Sequence, residues 1–273
     1  MKNHTSFKIG GNAETVVFPK TVGEMVDIIK NTVSPLVLGK GSNVLVSDEG
    51  IKGVVVITEK MAGVSAEGNV IKADCGASLA KIANLALENS LEGFEFASGI
   101  PGTLGGAILM NAGAYGGEMK DVIKSVTFCN EKGEVFTINN EECDFGYRHS
   151  FFINKKLYVL SAEIELKKGK KEEILEKMND FNTRRKEKQP LNYPSAGSTF
   201  KRPEGYFAGK LISDSGLKGF SVGGAQVSEK HAGFVINTGD ATAKDVLDVM
   251  EHCKKTVFEQ FGVALEPEVK IIG

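Results

Sequence analysis

The sequence contains few cysteines, and they form no group with the spacing of metal ligands. Only four cysteines and four histidines occur among 273 residues, and no two cysteines form a Cys-x-x-Cys pair. Metal-binding motifs bring such residues together at short, fixed spacings. We therefore expect no metal site, and we expect reduced thiols that are buried or half-buried. These thiols belong to Cys75, Cys129, Cys143 and Cys253.

The chain also lacks an excess of basic charge and any long apolar run. Its formal net charge is −2, so no overall positive field attracts nucleic acid or an anionic membrane. No apolar run approaches the roughly 20 residues that a membrane-spanning helix needs, and the first residues lack the apolar core of a signal peptide. We expect a cytoplasmic protein that neither inserts into membranes nor binds nucleic acid.

Glycine, by contrast, is concentrated in one apolar segment. Residues 97–118 contain seven glycines and one proline among side chains that favour burial, such as Ile100, Leu104 and Tyr115. Glycine lets another group approach the main chain closely. The segment therefore predicts a buried loop whose backbone amides bind a cofactor. The alternative is a purely structural cluster of turns.

A second glycine segment, Gly39-Lys-Gly-Ser-Asn43, lies between two short apolar runs that read as strands, 35–38 and 44–46. Amides of such a loop can form a nest for phosphate oxygens, with Ser42 and Asn43 as further donors. The segment fits neither common template. A dinucleotide fingerprint needs a third glycine where Val44 stands, and a phosphate loop needs Gly-Lys-Ser/Thr at its end. A tight hairpin is the alternative.

Helical and strand patterns alternate along the chain. Residues able to cap a helix precede apolar helical stripes at Thr21, Ser78 and Thr242, and a fourth helix is predicted over 172–188. Its charged end, 184–188, is either a solvated helix terminus or a phosphate contact. The pattern predicts an α+β protein with a nucleotide-binding N-terminal region and a smaller C-terminal domain. Further strands are predicted at 53–57, 70–74, 122–128, 135–138, 157–166 and 263–272, with a hairpin turn at 130–133.

Six motifs occur in order along nearly the whole chain. They are Thr5-Ser-Phe-Lys-Ile-Gly-Gly11; Gly39-Lys-Gly-Ser-Asn43; Gly99-Ile-Pro-Gly-Thr-Leu-Gly-Gly106 with Met110-Asn-Ala-Gly-Ala-Tyr-Gly-Gly117; Phe145-Gly-Tyr-Arg148 with Ser150; Ala196-Gly-Ser-Thr-Phe-Lys201; and Leu265-Glu-Pro-Glu-Val269. In order and spacing they resemble the UDP-N-acetylenolpyruvoylglucosamine reductases, FAD enzymes of peptidoglycan precursor synthesis. The short 190–198 connection resembles the smaller subclass, which lacks the tyrosine-bearing loop of the larger one.

The resemblance implies an FAD-binding domain of the vanillyl-alcohol oxidase/p-cresol methylhydroxylase type. It would span residues 1–180 in two α+β subdomains, followed by a smaller α+β substrate-binding domain over 181–273. This type is not a Rossmann fold, which accounts for the failed dinucleotide template. FAD would bind without a covalent bond. The positions implied to bind it are Gly39, Lys40, Gly41, Ser42, Asn43, Ser98, Gly99, Ile100, Pro101, Gly102, Thr103, Gly105, Gly106, Asn111, Ala112 and Gly113.

The implied reaction has two halves that use one site in turn. NADPH reduces FAD and leaves, and flavin N5 then passes hydride to the vinyl ether of UDP-N-acetylglucosamine enolpyruvate. Ser198 matches the proton donor, and Arg148 and Glu268 match the residues that stabilise the enolate-like intermediate. By themselves, these three residues also read as a turn hydroxyl, a surface ion-pair partner and a half-exposed strand carboxylate.

Three further residues are implied to bind substrate: Tyr147, Lys188 and Arg202. Lys188 matches a lysine that contacts the diphosphate. Arg202 departs from the Phe-Lys-Asn-Pro pattern of many members, placing a charged group where an asparagine contact is expected. The protein is expected to be a monomer or a weak dimer.

Two other functions are compatible with parts of the sequence. A flavin oxidase or dehydrogenase of the same fold would keep the glycine loop, but it has no reason to carry the C-terminal motifs. A non-catalytic nucleotide-sugar or flavin-binding regulator would be expected to lose at least one of Arg148, Ser198 and Glu268, and all three are present.

Overall fold

The computed structural model describes residues Met1–Gly273, which divide into two compact units. The first unit combines three separate segments, Met1–Glu14, Gly41–Gly53 and Lys186–Gly273. The second combines Thr15–Lys40 with Val54–Arg185. Both units are therefore discontinuous in sequence. The boundary at residue 180, between a cofactor-binding and a substrate-binding domain, concerns function and stays a prediction.

The predicted helix starts are confirmed, because each capping side chain accepts a hydrogen bond from the first turn. Thr21 Oγ1 accepts from Glu24 N at 3.1 Å, Ser78 Oγ from Lys81 N at 3.2 Å, and Thr242 Oγ1 from Asp245 N at 3.1 Å. None of the helices combines the length and apolar character that crossing a membrane requires. The helices are α1 (Val22–Lys30), α2 (Leu79–Glu88), α3 (Leu104–Leu109), α4 (Lys171–Lys188), α5 (Ala208–Asp214) and α6 (Ala243–Phe261).

Strands are short and mostly form small sheets. The predicted final strand, 263–272, is wrong in extent, because regular strand structure covers only its last part. The strands are β1 (Ala13–Val17), β2 (Leu36–Leu38), β3 (Val44–Val46), β4 (Ile51–Ile57), β5 (Val64–Glu67), β6 (Val70–Asp74), β7 (Leu91–Glu92), β8 (Gly113–Ala114), β9 (Gly117–Glu118), β10 (Ile123–Asn130), β11 (Val135–Asn139), β12 (Leu157–Glu165), β13 (Lys167–Lys168), β14 (Ser221–Val222), β15 (Ala225–Val227), β16 (Val235–Asn237) and β17 (Lys270–Ile272).

The second unit is built on a five-stranded antiparallel sheet with the order β11-β10-β12-β6-β5. The predicted hairpin is confirmed in it, with Val126 opposite Ile138. Buried residues of α1, α2 and α3, including Met25, Ile82 and Ile108, share one hydrophobic core with residues of the sheet. Because this core fixes α2 and α3, it also fixes the glycine-rich segment that contains α3.

The first unit has its own core, formed by α5, α6 and the antiparallel sheet β14-β15-β16. Residues from both ends of the chain contribute to it, such as Phe7 and Val249. Strand β17 pairs in parallel with β3, with Lys270 opposite Val44. This pairing joins the second glycine segment to the C-terminal segment of the same unit.

All four cysteines are buried free thiols, in agreement with the sequence analysis. Burial raises the pKa of Cys75 and of Cys253 to about 12, and it raises the pKa of Cys129 and of Cys143 to about 11. Thiols with such pKa values carry almost no thiolate at neutral pH and are poor nucleophiles.

Candidate functional site

The glycine-rich segment 97–118 is more regular than the predicted loop. It contains helix α3 and the two-stranded ribbon β8-β9. Its main chain is bonded to the connection between β6 and α2, because Gly105 N donates to Cys75 O at 2.8 Å and Leu104 N donates to Ala77 O at 2.9 Å. These tertiary bonds hold a short helix that two glycines would otherwise disfavour.

Two hydroxyl groups in this segment are buried without a hydrogen-bond partner, Ser98 Oγ and Thr103 Oγ1. Buried polar atoms in proteins are nearly always paired, so unpaired ones require an explanation. Gly99 between them packs against α4, and a Cβ there would overlap Asn182 and crowd Arg185. The segment thus offers two unsatisfied polar groups on a tightly packed backbone, which suits a ligand with polar groups of its own.

The second glycine segment is divided between the two units. In the second unit, Gly39 packs directly against Thr103, where a Cβ would overlap the threonine side chain. In the first unit, Gly41 has φ +56° and its carbonyl accepts a bond from Ser6 N at 3.1 Å. Lys40 is exposed and Ser42 is half-buried. The glycines of this segment therefore have packing roles, whatever ligand the loop binds.

Asn111 uses its side chain within the protein. It is 1% exposed; its Nδ2 group donates to Glu118 Oε2 at 2.9 Å and to Gly146 O at 3.0 Å, and its Oδ1 accepts from Lys120 N at 2.9 Å. The predicted cofactor contact of Asn111 consequently has only its main chain available.

Arg148 lies in a two-residue turn with an unusual backbone conformation. Gly146 and His149 exchange both of their main-chain hydrogen bonds, at 3.0 and 3.2 Å, so Tyr147 and Arg148 form the tip. Arg148 has φ +53°, the left-handed region that glycine and asparagine usually occupy. Its guanidinium carbon is 5.0 Å from the centroid of the exposed Tyr147 ring. This conformation is unfavourable for a residue with a Cβ, so contacts around the turn must hold it in place.

Within the first unit, the structure brings the segments of Ser198 and Glu268 side by side. Between them, Thr199 O accepts a hydrogen bond from Glu268 N at 2.9 Å, and Lys201 N donates to Glu266 O at 2.8 Å. Buried Thr199 is itself fixed, because its Oγ1 accepts from Val235 N at 2.9 Å. Ser198 is half-buried.

Glu268 is held by its main chain on two sides. Besides the bond from its N–H to Thr199, its carbonyl accepts from Asn43 Nδ2 at 3.2 Å, and Lys270 N donates to Asn43 O at 3.0 Å. The expected strand position of Glu268 is corrected, since the residue lies just before β17. Asn43, predicted as a cofactor contact, thus also fixes the segment that carries Glu268.

Two of the residues predicted to bind substrate, Lys188 and Arg202, are exposed. Lys188 is the last residue of α4, and Arg202 places its guanidinium carbon 4.0 Å from the centroid of the exposed Phe207 ring.

The sequence motifs do not predict the hydrogen bond that Ser150 makes, in which its hydroxyl donates to Leu109 O at 2.9 Å. A separation of 41 residues hides this contact from any local pattern.

The chain is similar to known proteins over its full length. The description "UDP-N-acetylenolpyruvoylglucosamine reductase, C-terminal domain" matches residues 189–272, and "FAD binding domain" matches residues 13–139. A protein of Caldanaerobacter subterraneus subsp. tengcongensis named UDP-N-acetylenolpyruvoylglucosamine reductase is 56% identical over 100% of this chain and 92% of its own length. One of the same name from Alkaliphilus oremlandii is 54% identical over 100% and 91%.

A solved structure agrees with these matches. The crystal structure of UDP-N-acetylenolpyruvylglucosamine reductase from Thermus caldophilus covers 100% of this chain with 97% of its own, at a TM-score of 0.88 and 36% identity. The predicted α+β class with an FAD-binding domain is confirmed.

Proposed function

The chain belongs to the family of UDP-N-acetylenolpyruvoylglucosamine reductases, and from that premise we propose how its own residues carry out the reaction. It is an FAD-dependent oxidoreductase that acts in peptidoglycan precursor synthesis. In the proposed reaction, UDP-N-acetylglucosamine enolpyruvate is reduced to UDP-N-acetylmuramate with NADPH as the source of electrons. The observation that carries the proposal is the pairing of the Ser198 and Glu268 segments through Thr199.

The residues present fit FAD. Unpaired Ser98 Oγ and Thr103 Oγ1 are suited to the polar groups of the cofactor, and the backbone of the glycine segments is suited to its phosphates. Bound FAD supplies hydride transfer. We propose that the cofactor is held noncovalently by Gly39–Asn43, Ser98–Thr103, Gly105, Gly106 and the main chain of Asn111–Gly113.

Ser198 is the proposed proton donor. Hydride addition at the terminal carbon of the enolpyruvyl group leaves negative charge on the carbon that carries the carboxylate. A serine hydroxyl is a weak acid, so it can donate only to a strongly basic centre such as this carbanion. Half-burial of Ser198 is compatible with access of substrate to its hydroxyl.

Arg148 and Glu268 are proposed to act on the charge that develops beside the substrate carboxylate. The planar guanidinium of Arg148 matches a carboxylate with two hydrogen bonds and lowers the energy of the enolate-like species. Glu268 helps to polarise the same enolate-like species. The proposal also assigns Tyr147, Lys188 and Arg202 to substrate binding, with Lys188 directed at the diphosphate.

The decisive test compares the two half-reactions of Ser198→Ala. We expect flavin reduction by NADPH to stay near the wild-type rate. Reoxidation by the enolpyruvyl substrate should slow by about 100- to 10,000-fold, the range a lost general acid costs. Anaerobic stopped-flow absorbance measures both steps separately. Ser215→Ala, in a serine that bonds only its own helix, is the control. Equal losses in both half-reactions would exclude Ser198 as the donor.

A single titration separates the proposed function from its rivals. In an anaerobic cuvette, NADPH should bleach the flavin, and UDP-N-acetylglucosamine enolpyruvate should restore its colour. Recolouring only with oxygen would favour a flavin oxidase, and a colourless protein that takes up no FAD would contradict the cofactor assignment. The cytoplasmic location, the monomeric or weakly dimeric state and the functional domains 1–180 and 181–273 stay predictions.

A further inference from the structure

The Arg148 turn is attached to the end of α3 at two points. On one side of the tip, Gly146 O accepts a hydrogen bond from Asn111 Nδ2 at 3.0 Å. On the other side, Ser150 Oγ donates to Leu109 O at 2.9 Å. Leu109 is the last residue of α3, so its carbonyl has no partner within the helix and is free to accept this bond.

These two bonds anchor the turn that carries Arg148, together with the main-chain bonds between Gly146 and His149. The positive φ of Arg148 is costly for a residue with a Cβ, and it persists only while neighbouring contacts define the turn. If either contact is lost, the tip can relax toward a negative φ. That relaxation would move the Arg148 guanidinium out of the position that it needs to contact the substrate carboxylate.

We propose that Ser150 and Asn111 are positioning residues for Arg148 in the reduction of the enolpyruvyl substrate, an inference that rests on the proposed function. Both act through the turn and not on the substrate. Ser150 is 0% exposed and Asn111 is 1% exposed, and the polar side-chain atoms of both are engaged by protein groups. Asn111 belongs to the glycine-rich segment, so the same segment that serves the flavin also sets the position of Arg148.

The experiment is a double-mutant cycle on the intact flavoprotein. Ser150→Ala should slow flavin reoxidation by the enolpyruvyl substrate on the order of 10- to 100-fold, while flavin reduction by NADPH stays unchanged. In an Arg148→Ala background, adding Ser150→Ala should cause no further slowing, because the residue it positions is already absent. Ser150→Cys, which keeps a weak donor, should give an intermediate rate.

The matched control is Ser215→Ala, which also removes a serine hydroxyl that donates to a main-chain carbonyl at 2.9 Å. It should leave both half-reactions unchanged. Visible absorbance and thermal unfolding establish that each variant contains FAD and is folded. If Ser150→Ala does not fold, the cycle is run with Ser150→Cys.

The outcomes separate the two hypotheses. Additive losses of Ser150→Ala and Arg148→Ala, or a wild-type reoxidation rate in folded Ser150→Ala, would overturn the positioning role. A wild-type protein whose reduced flavin does not react with the enolpyruvyl substrate would overturn the proposed function instead.

Discussion

At the scale of single residues, Arg148 has a backbone conformation that costs stability, and its side chain is proposed to act on the substrate. A side chain in the left-handed region costs roughly 1–2 kcal/mol, and glycine at the same place avoids most of that cost. The two hydrogen bonds that close the turn, between Gly146 and His149, are made by main-chain atoms and do not depend on the arginine side chain. Glycine would close the same turn without the backbone cost that arginine carries.

We accordingly expect Arg148→Gly to abolish rapid flavin reoxidation by substrate in a protein that still folds and contains FAD. Relief of the positive φ should return roughly 1 kcal/mol of stability, against which the lost side-chain contacts of Arg148 count, among them the contact with the Tyr147 ring. Urea denaturation and stopped-flow absorbance measure the two effects. Asp240→Gly, at an exposed residue with φ +50°, is the control that relieves strain and keeps both rates. A wild-type reoxidation rate in folded Arg148→Gly would contradict a role for the arginine side chain.

At the scale of elements, the first turn of α6 has an additional cap from a distant segment. Asp48 accepts hydrogen bonds from Ala243 N at 2.8 Å and from Lys244 N at 3.1 Å. Its charge also favours a helix N-terminus, where main-chain N–H groups are exposed. Through this carboxylate, residues 41–53 are attached to the helix that forms much of the first unit's core.

Asp48→Ala should therefore lower the free energy of unfolding by about 2 kcal/mol, because two charge-assisted hydrogen bonds are lost together. Equilibrium urea denaturation gives this difference. Glu49→Ala removes the neighbouring exposed carboxylate and should change stability little. Equal effects of the two substitutions would mean that Asp48 contributes only its charge.

The elements also show what a sequence can predict. Helix starts were accessible because a capping residue and its partner are three positions apart, as in Thr242 and Asp245. Helix α3 was not accessible from the sequence, because Gly105 and Gly106 disfavour a helix. Main-chain hydrogen bonds to residues 75–79 hold it instead. Motifs identified Ser198 and Glu268, but the Asn43 bond to Glu268 spans 225 residues and has no local signature. Long-range side-chain bonds therefore account for most of what sequence reasoning missed.

At the scale of the whole molecule, half-buried His231 links pH to stability. Burial is the main cause that lowers its pKa, and nearby Lys218 acts in the same direction. Its Nδ1 accepts a hydrogen bond from Gly233 N at 3.1 Å, which only the unprotonated nitrogen can do. Gly233 O in turn accepts from Thr199 N at 2.8 Å, so this histidine supports the segment beside Ser198.

The sign of the pH effect follows from proton linkage. A lowered pKa means that the unfolded chain binds the His231 proton more readily than the folded protein does. The stabilising contribution is thus complete above the ordinary histidine pKa of about 6.5 and is lost as the pH falls below it. We expect the free energy of unfolding, from urea titrations between about pH 8 and pH 5, to decrease toward the acid end. His231→Asn should flatten this dependence, whereas His252→Asn, at an exposed ring stacked on Phe220, should retain it. An unchanged slope in His231→Asn would show that other groups, and not this histidine, control stability in that range.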